Sequence, residues 1–278
     1  MLIDGKAIAQ TIYTDLTSRV SKLPFRPVFC DVLVGNHPAS VQYVALKARI
    51  AERIGIQFLQ ADVSDTADEQ ELIDKILDIS KHPGLCGLIV QLPLPKKFNV
   101  QNILRHIPFD IDVDCLNPDN VQKFYSGKFE QVPPTAGAVL TILGSVVSDL
   151  RDKTVAVVGK GELVGRPVAY LLARAGSEVV VVDSGTVKPM EITSQADIVV
   201  AGAGKPKLIT KSWVKSGAIV IDAGTSEDSG SIVGDVDTES VIGVASYITA
   251  TPGGVGPVTV AKLLENVVLV AESRVSGG

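Results

Sequence analysis

The chain has 278 residues, 46% of them hydrophobic, and a net charge of −5. That length and apolar content allow one large or two modest domains with a sizeable core. The acidic balance argues against a general nucleic-acid binder or a membrane-surface protein, though not against a small anionic ligand held in a local pocket. The apolar runs, such as the four valines of residues 179–182, are of strand length and too short to span a bilayer. No basic-then-apolar signal pattern opens the chain, so the expected location is the cytoplasm. Cys30, Cys86 and Cys115 form no CxxC pair and fit isolated thiols in a reducing compartment. With only His37, His82 and His106 besides, no metal site is expected.

Ile8, Ile12, Leu16 and Val20 recur every four residues, one face of an amphipathic helix. Residues 28–34 read as a buried strand closed by Gly35. A helix follows over 38–53, with Gly55 as its stop. Residues 56–63 read as a strand, 68–81 as a helix, and 87–92 as a buried strand ended by Pro93 and Pro95. A short helix is expected over 99–106. The alternation predicts an α/β unit with a parallel sheet. Residues 107–136, rich in Pro, Asp and Asn, read as a long loop, a feature that usually marks function or a domain junction. A connecting helix is expected over 138–150.

Residues 154–173 form the centre of the second half. A β-branched run, Val155 to Val158, stops at Gly159. Gly161 and Gly165 follow, then an apolar helical pattern. A strand, a glycine turn and a helix are the parts of a dinucleotide-binding unit: glycine lets the backbone approach a pyrophosphate, and the helix N-terminus adds partial positive charge. A second strand over 178–182 ends at Asp183, 24 residues after Gly159 and near the expected place of a ribose-binding acid. Further strands are expected over 198–201 and 218–222, with a short helix over 211–216. Shorter strand pieces are expected at 232–236 and 241–245. Residues 249–257 read as a glycine-proline loop, and 258–272 as a final helix.

Several residues outside the turn can carry chemistry. Tyr43 and Lys47 stand four apart on one helix face. A phenol beside an amine in a dry pocket makes an acid or base, but the same spacing fits a surface lysine lying past a half-buried tyrosine. Gln91 falls at the C-terminal end of a predicted parallel strand, where ligands of open α/β sheets gather; it equally fits a side chain bonded to loop backbone. Asp112 and Asp114 flank Val113. A carboxylate there can take two hydrogen bonds from an amidine-like edge, or simply form a turn. The ATPGGVGP segment lets backbone pass close to a flat ligand, and also suits a tight turn before the last helix.

Together these pieces resemble one family, the bifunctional methylenetetrahydrofolate dehydrogenase/methenyltetrahydrofolate cyclohydrolases. The resemblance runs nearly end to end: VGNHPASVQYVALK around Tyr43 and Lys47, GLIVQLPLP around Gln91, DVD at 112–114, VPPTAG, VVGKGELVGRP, GKP at 204–206, GDV at 234–236, and TPGGVGPVT. It implies an α/β fold of two domains with a cleft between them. Residues 1–136 with the helix 258–278 would bind folate, and 137–257 would form a Rossmann-type doubly wound parallel sheet. It implies Lys47 as catalytic lysine, with Tyr43 and Gln91 tuning it. Asp114, Gly253, Gly254 and Val255 would hold the folate, and Tyr43 would also touch it. Gly159, Lys160, Gly161, Gly165, Asp183, Ser184 and Thr225 would hold the cofactor. NADP is the expected cofactor, with NAD the alternative, because a carboxylate at Asp183 accepts from a ribose 2′-OH and repels a 2′-phosphate. Tetrahydrofolate derivatives are the expected partners, in a homodimer that binds neither nucleic acid nor membrane.

The chain departs from the family's usual pattern in places. Gly-Phe-His after the second aspartate becomes Cys115, Leu116 and Asn117. Arg-Ser after the first glycine becomes Lys160 and Gly161, and a His-Ser pair becomes Asp183 and Ser184. Replacing Lys47 by Met is expected to leave the fold intact and abolish cyclohydrolase activity. Other readings of the same pieces are a monofunctional methylenetetrahydrofolate dehydrogenase, a dehydrogenase of a small hydroxy acid, and a nucleotide sensor without turnover.

Overall fold

In the computed structural model, which describes residues 1–128, 131–228 and 231–276, strands and helices alternate almost throughout. β1 (Leu2–Ile3) leads into α1 (Gly5–Val20), β2 (Val28–Val34), α2 (Pro38–Ile54), β3 (Gln57–Val63), α3 (Glu69–Ile79) and β4 (Leu85–Val90). Three helices follow: α4 (Val100–Arg105), α5 (Pro118–Tyr125) and α6 (Pro134–Gly144). Then come β5 (Thr154–Val158), α7 (Gly165–Arg174), β6 (Glu178–Val182), α8 (Pro189–Thr193), β7 (Ile198–Ala201) and β8 (Ile219–Asp222). A hairpin of β9 (Ser226–Asp228) and β10 (Ser231–Val233), then α9 (Thr238–Val241), β11 (Tyr247–Thr249) and α10 (Val255–Ser276) complete the chain. Residues 129–130, within the stretch read as a loop, and 277–278, at the end of the expected folate domain, lie outside the described residues. The chain divides into two units, one of residues 1–10 with 134–262, the other of 11–133 with 263–278.

The second of these units is built on a parallel sheet in the order β3-β2-β4. All seven residues of β2 and all six of β4 are buried, as suits parallel strands covered on both faces. α2 starts with Pro38 in its first turn and stops at Gly55, whose φ of 98° is left-handed. Asp68 and Glu71 close α3 with a reciprocal capping box. The C-terminal part of α10 is fastened here. Gly87 is bare because a Cβ would lie 2.7 Å from Val267, and Asn266 donates to the carbonyls of Val113 and Val132.

The other unit carries a six-stranded, all-parallel sheet in the order β1-β11-β8-β7-β5-β6. Its core includes Val158, Val182, Val199, Val220 and Ile248. β5 has β6 on one side and β7 on the other, so the connections diverge there and open a crevice at the carboxyl ends of the strands.

Several elements differ from their sequence expectation. The long loop contains α5, which Asn117 caps by accepting from the Asp119 N–H, with Pro118 in the first turn. α6 occupies Pro134–Gly144, not 138–150. Residues 211–216 hold only a 3-10 turn at Lys211–Trp213. Where a strand was expected at 241–245, the helix α9 ends at Val241. β1 and β11 have no sequence signal because strands of two and three residues carry no alternation; pairing with each other and with β8 makes them.

Candidate active site

α2 turns Val44, Lys47, Ile50, Ala51 and Ile54 toward the interior, so Lys47 sits on a buried apolar face with only 1% of its side chain exposed. Such an ammonium needs partners. Gln91 Oε1 accepts from Lys47 Nζ at 2.7 Å, and Asp31 Oδ2 lies 2.5 Å from the same nitrogen. Gln91 continues the β2–β4 ladder, its N–H donating to Val32 O, and its Nε2 donates to Leu92 O. Its amide is thereby held with the oxygen toward the lysine. The ring of Tyr43 lies 4.9 Å from Lys47 Nζ. Tyr43, Lys47 and Gln91 are therefore brought together.

Asp31 is the residue that sequence reasoning missed. It is fully buried in the middle of β2, and the Lys47 ammonium is its only cationic partner among the described residues. Burial raises its carboxyl pKa above the usual range, and Lys47 opposes that rise. The available signal was an aspartate inside an otherwise apolar strand, VFCDVLV.

The two loop aspartates separate. Asp112 is buried and accepts from the N–H groups of Leu116 and Asn117 and from Asn120 Nδ2; it shapes the turn. Asp114 is half-buried. Burial pushes its carboxyl up to about 6, with Lys47 opposing and Asp112 and Asp31 adding to the rise. Burial likewise drives the Tyr43 phenol upward, reinforced by Asp114, Tyr13 and Asp31, so the hydroxyl keeps its proton. The departure at 115–117 also has a structural reading. Cys115 adopts φ 59°, a left-handed backbone that glycine takes freely and cysteine takes at some cost. Asn117 Nδ2 donates to the carbonyls of Arg105 and Ile107, knitting the segment together.

In the six-stranded unit, Gly159 follows β5 with φ 111°. A Cβ there would collide with Gly202 O, and one on Gly165 would collide with Gly159 O. Gly161 is different, since a Cβ there meets nothing within 4 Å. Its bareness serves no internal packing and suits close approach of a ligand. Lys160 Nζ pairs with Asp183 Oδ2 at 2.6 Å, the lysine being 69% exposed. That pairing, first, and the Gly185 N–H hold the Asp183 carboxyl below its usual range. Ser184 and Thr225 are exposed, at the ends of β6 and β8 respectively. A glycine turn ahead of a helix, with a cationic and an acidic side chain at its rim, is an arrangement that suits a dinucleotide.

Gly253, Gly254 and Val255 belong to this same unit, just before and at the start of α10. Gly253 has φ 110°, and Gly254 packs so tightly that its carbonyl occupies the space a Cβ on Gly5 would need. The segment is a close backbone crossing, anchored by Gly254 N–H donating to Ala250 O.

Comparison with known proteins identifies the family. Residues 3–114 match the tetrahydrofolate dehydrogenase/cyclohydrolase catalytic domain, and residues 133–275 match the NAD(P)-binding domain of the same family. The bifunctional protein FolD of Halalkalibacterium halodurans is 38% identical over 275 residues, covering 98% of this chain and 99% of that protein. The crystal structure of the bifunctional enzyme FolD from Campylobacter jejuni superposes with a TM-score of 0.94 at 38% identity, covering 99% of both chains. The Trypanosoma brucei dehydrogenase-cyclohydrolase, complexed with NADP cofactor and inhibitor, gives 0.93 at 34% identity over 99% of this chain and 98% of that one. On the strength of both domain matches and these full-length relatives, the chain belongs to the tetrahydrofolate dehydrogenase/cyclohydrolase family.

Proposed function

We propose that the protein is a bifunctional one-carbon folate enzyme. It oxidises 5,10-methylenetetrahydrofolate to the 5,10-methenyl form with NADP and hydrolyses that product to 10-formyltetrahydrofolate. The observation that carries this reading is the buried amine of Lys47, held by Gln91 and backed by Asp31. A small hydroxy acid as substrate finds no support in the family match.

In the cyclohydrolase half-reaction, water adds to the methenyl carbon and the bond from that carbon to the ring nitrogen breaks. Of the water's two protons, one ends on the freed nitrogen and the other leaves. Lys47 relays these protons, with Asp31 as the group that can take a proton from the ammonium. Gln91 keeps the amine pointed at the one-carbon unit, and Tyr43 stays a neutral phenol that stacks and donates. Asp114 accepts from the amidine-like edge of the pterin. Gly253, Gly254 and Val255 line the folate.

When bound, NADP supplies the hydride acceptor for the first half-reaction, a step that needs ring alignment more than a base. Gly159, Gly161 and Gly165 would hold its pyrophosphate, and Lys160, Ser184, Asp183 and Thr225 would contact the rest. The Trypanosoma relative complexed with NADP supports this cofactor, and NAD is the alternative that Asp183 leaves open. Residues 1–136 with 258–278 serve the folate, and 137–257 the nucleotide.

The protein works as a homodimer in the cytoplasm. β6 ends its sheet, and Val180 and Val181 are 47% and 42% exposed, a bare apolar edge suited to a second copy. Among the described residues no helix is long and apolar enough to cross a membrane. To test the reaction, purified protein is mixed with methylenetetrahydrofolate and NADP while reduced cofactor and methenyl absorbance are followed together. Reduced cofactor should form without lasting methenyl accumulation. Accumulating methenyl product would remove the second activity, and no reduced cofactor would remove the first.

A further inference from the structure

Two stretches singled out in the sequence, GKP at 204–206 and GDV at 234–236, are left without a role by this reading. The structure joins them. Asp235 is buried, and its carboxylate takes three successive backbone donors: Oδ2 accepts from Ala203 at 2.5 Å and Gly204 at 2.9 Å, and Oδ1 from Lys205 at 2.8 Å. With Gly204 at φ 65°, this run of N–H groups forms a concave nest of the kind that binds anions. Here the anion comes from the chain itself.

A second buried carboxylate sits behind the first. Asp222 Oδ1 accepts from the N–H groups of Asp235 and Gly224, and Oδ2 from Val236. Its own N–H donates to Thr249 Oγ1 at 2.7 Å. Gly224 and Gly234 leave the room: a Cβ on either would collide with the Asp235 or Asp222 carboxylate respectively. The nested loop in turn backs the nucleotide turn. Gly202 O fills the space beside Gly159, and a Cβ on Gly202 would lie 2.7 Å from Val164 Cγ1.

We infer that Asp235 is a positioning residue for the dinucleotide site, fixing residues 203–205 so that they and the adjoining Gly202 hold the backbone of the Gly159 turn in its binding shape. The inference rests on the reading that this turn holds the cofactor. An asparagine at 235 would keep one acceptor oxygen and point an NH₂ group at a backbone N–H. At least one charge-assisted bond would be lost and the loop would shift. The amine of Lys47 belongs to the other unit, and hydrolysis of the methenyl substrate needs no nucleotide.

The test compares wild type with Asp235→Asn and Asp235→Ala in the full chain. NADP binding is titrated without folate, and cyclohydrolase activity is measured without nucleotide. Asp235→Asn should weaken NADP binding about ten-fold, the effect of one lost charge-assisted hydrogen bond, and Asp235→Ala should weaken it more. The dehydrogenase KM for NADP should rise by a similar factor while its kcat changes less. Cyclohydrolase kcat and folate KM should match wild type. Unchanged NADP affinity in both variants overturns the inference alone. A parallel fall of both activities and of Tm overturns it too, because Asp235 would then serve the fold at large. A wild type that binds no NADP removes the cofactor reading, and the inference falls with it. Hydrogen exchange on the wild type decides the matter even if neither variant folds. The amides of Ala203, Gly204 and Lys205 should be protected without NADP and unchanged by adding it. Fast exchange, or protection only with NADP, overturns the assignment.

Discussion

The Lys47 ammonium lies 2.5 Å from Asp31 Oδ2, and neither side chain reaches solvent. A buried pair of this kind adds little to stability as a whole, but removing one partner strands the other charge at a cost of about 3–5 kcal/mol. Asp31→Asn should therefore destabilise the protein by about that amount in urea unfolding. Lys47→Met alone should abolish cyclohydrolase activity and also cost stability, because Asp31 is left buried without a counter-charge. The double variant should recover most of the loss while staying inactive. Additive costs in the double-mutant cycle would show that the two side chains do not act as a pair.

The four-residue spacing of Tyr43 and Lys47 and the strand-end position of Gln91 led to three members of the cluster. Asp31 is marked only by its charge inside the apolar strand VFCDVLV, which does not say which helix face β2 will meet. Asp112 and Asp114 looked alike in the chain. Only the folded turn, in which Asn117 and Asn120 turn inward, makes Asp112 structural and leaves Asp114 half-buried. The glycine turn was legible because strand, glycines and helix are contiguous. The Asp235 nest was not, since its donors lie some 30 residues from its acceptor.

The glycines of the nucleotide turn should divide by function. Gly165→Ala places a methyl against Gly159 O, so it should lower stability by about 1–3 kcal/mol along with any loss of binding. Gly161→Ala meets no protein atom, so Tm should hold while NADP affinity falls about ten-fold or more, because the methyl stands where the ligand must come close. Thermal melts and nucleotide titrations on the two variants check both halves. Undiminished NADP binding by Gly161→Ala would mean that the pyrophosphate does not lie over this residue.

Cofactor choice should turn on the Lys160–Asp183 pair. A 2′-phosphate must draw Lys160 away from Asp183 and tolerate the carboxylate, whereas a 2′-OH can donate to it. Lys160 is exposed and Asp183 half-buried, so opening the pair costs little and less at high salt. Asp183→Asn should tighten NADP binding by up to about five-fold and weaken NAD binding. Measuring both dissociation constants in low and high salt tests this. A variant that gains or loses both cofactors equally would place the ribose elsewhere.

Asp114 should give the site its pH response. Its carboxyl is pushed up to about 6, above its unfolded value near 4, first by burial. The native state thus holds this proton more tightly than the unfolded chain does. The group favours folding below about pH 4, and that contribution is lost as pH rises to about 6. Above pH 6 the half-buried negative charge is a standing penalty. Asp114→Asn should therefore melt higher than wild type at pH 7.5, with the gap closing toward pH 4. Folate binding runs the other way, since only the ionised carboxylate accepts both hydrogen bonds from the pterin edge. Wild-type affinity for a folate should fall as pH drops through about 6, and Asp114→Asn should bind weakly at every pH. A variant that keeps wild-type affinity at pH 7.5 would free Asp114 from the substrate and leave it a strained acid of the loop.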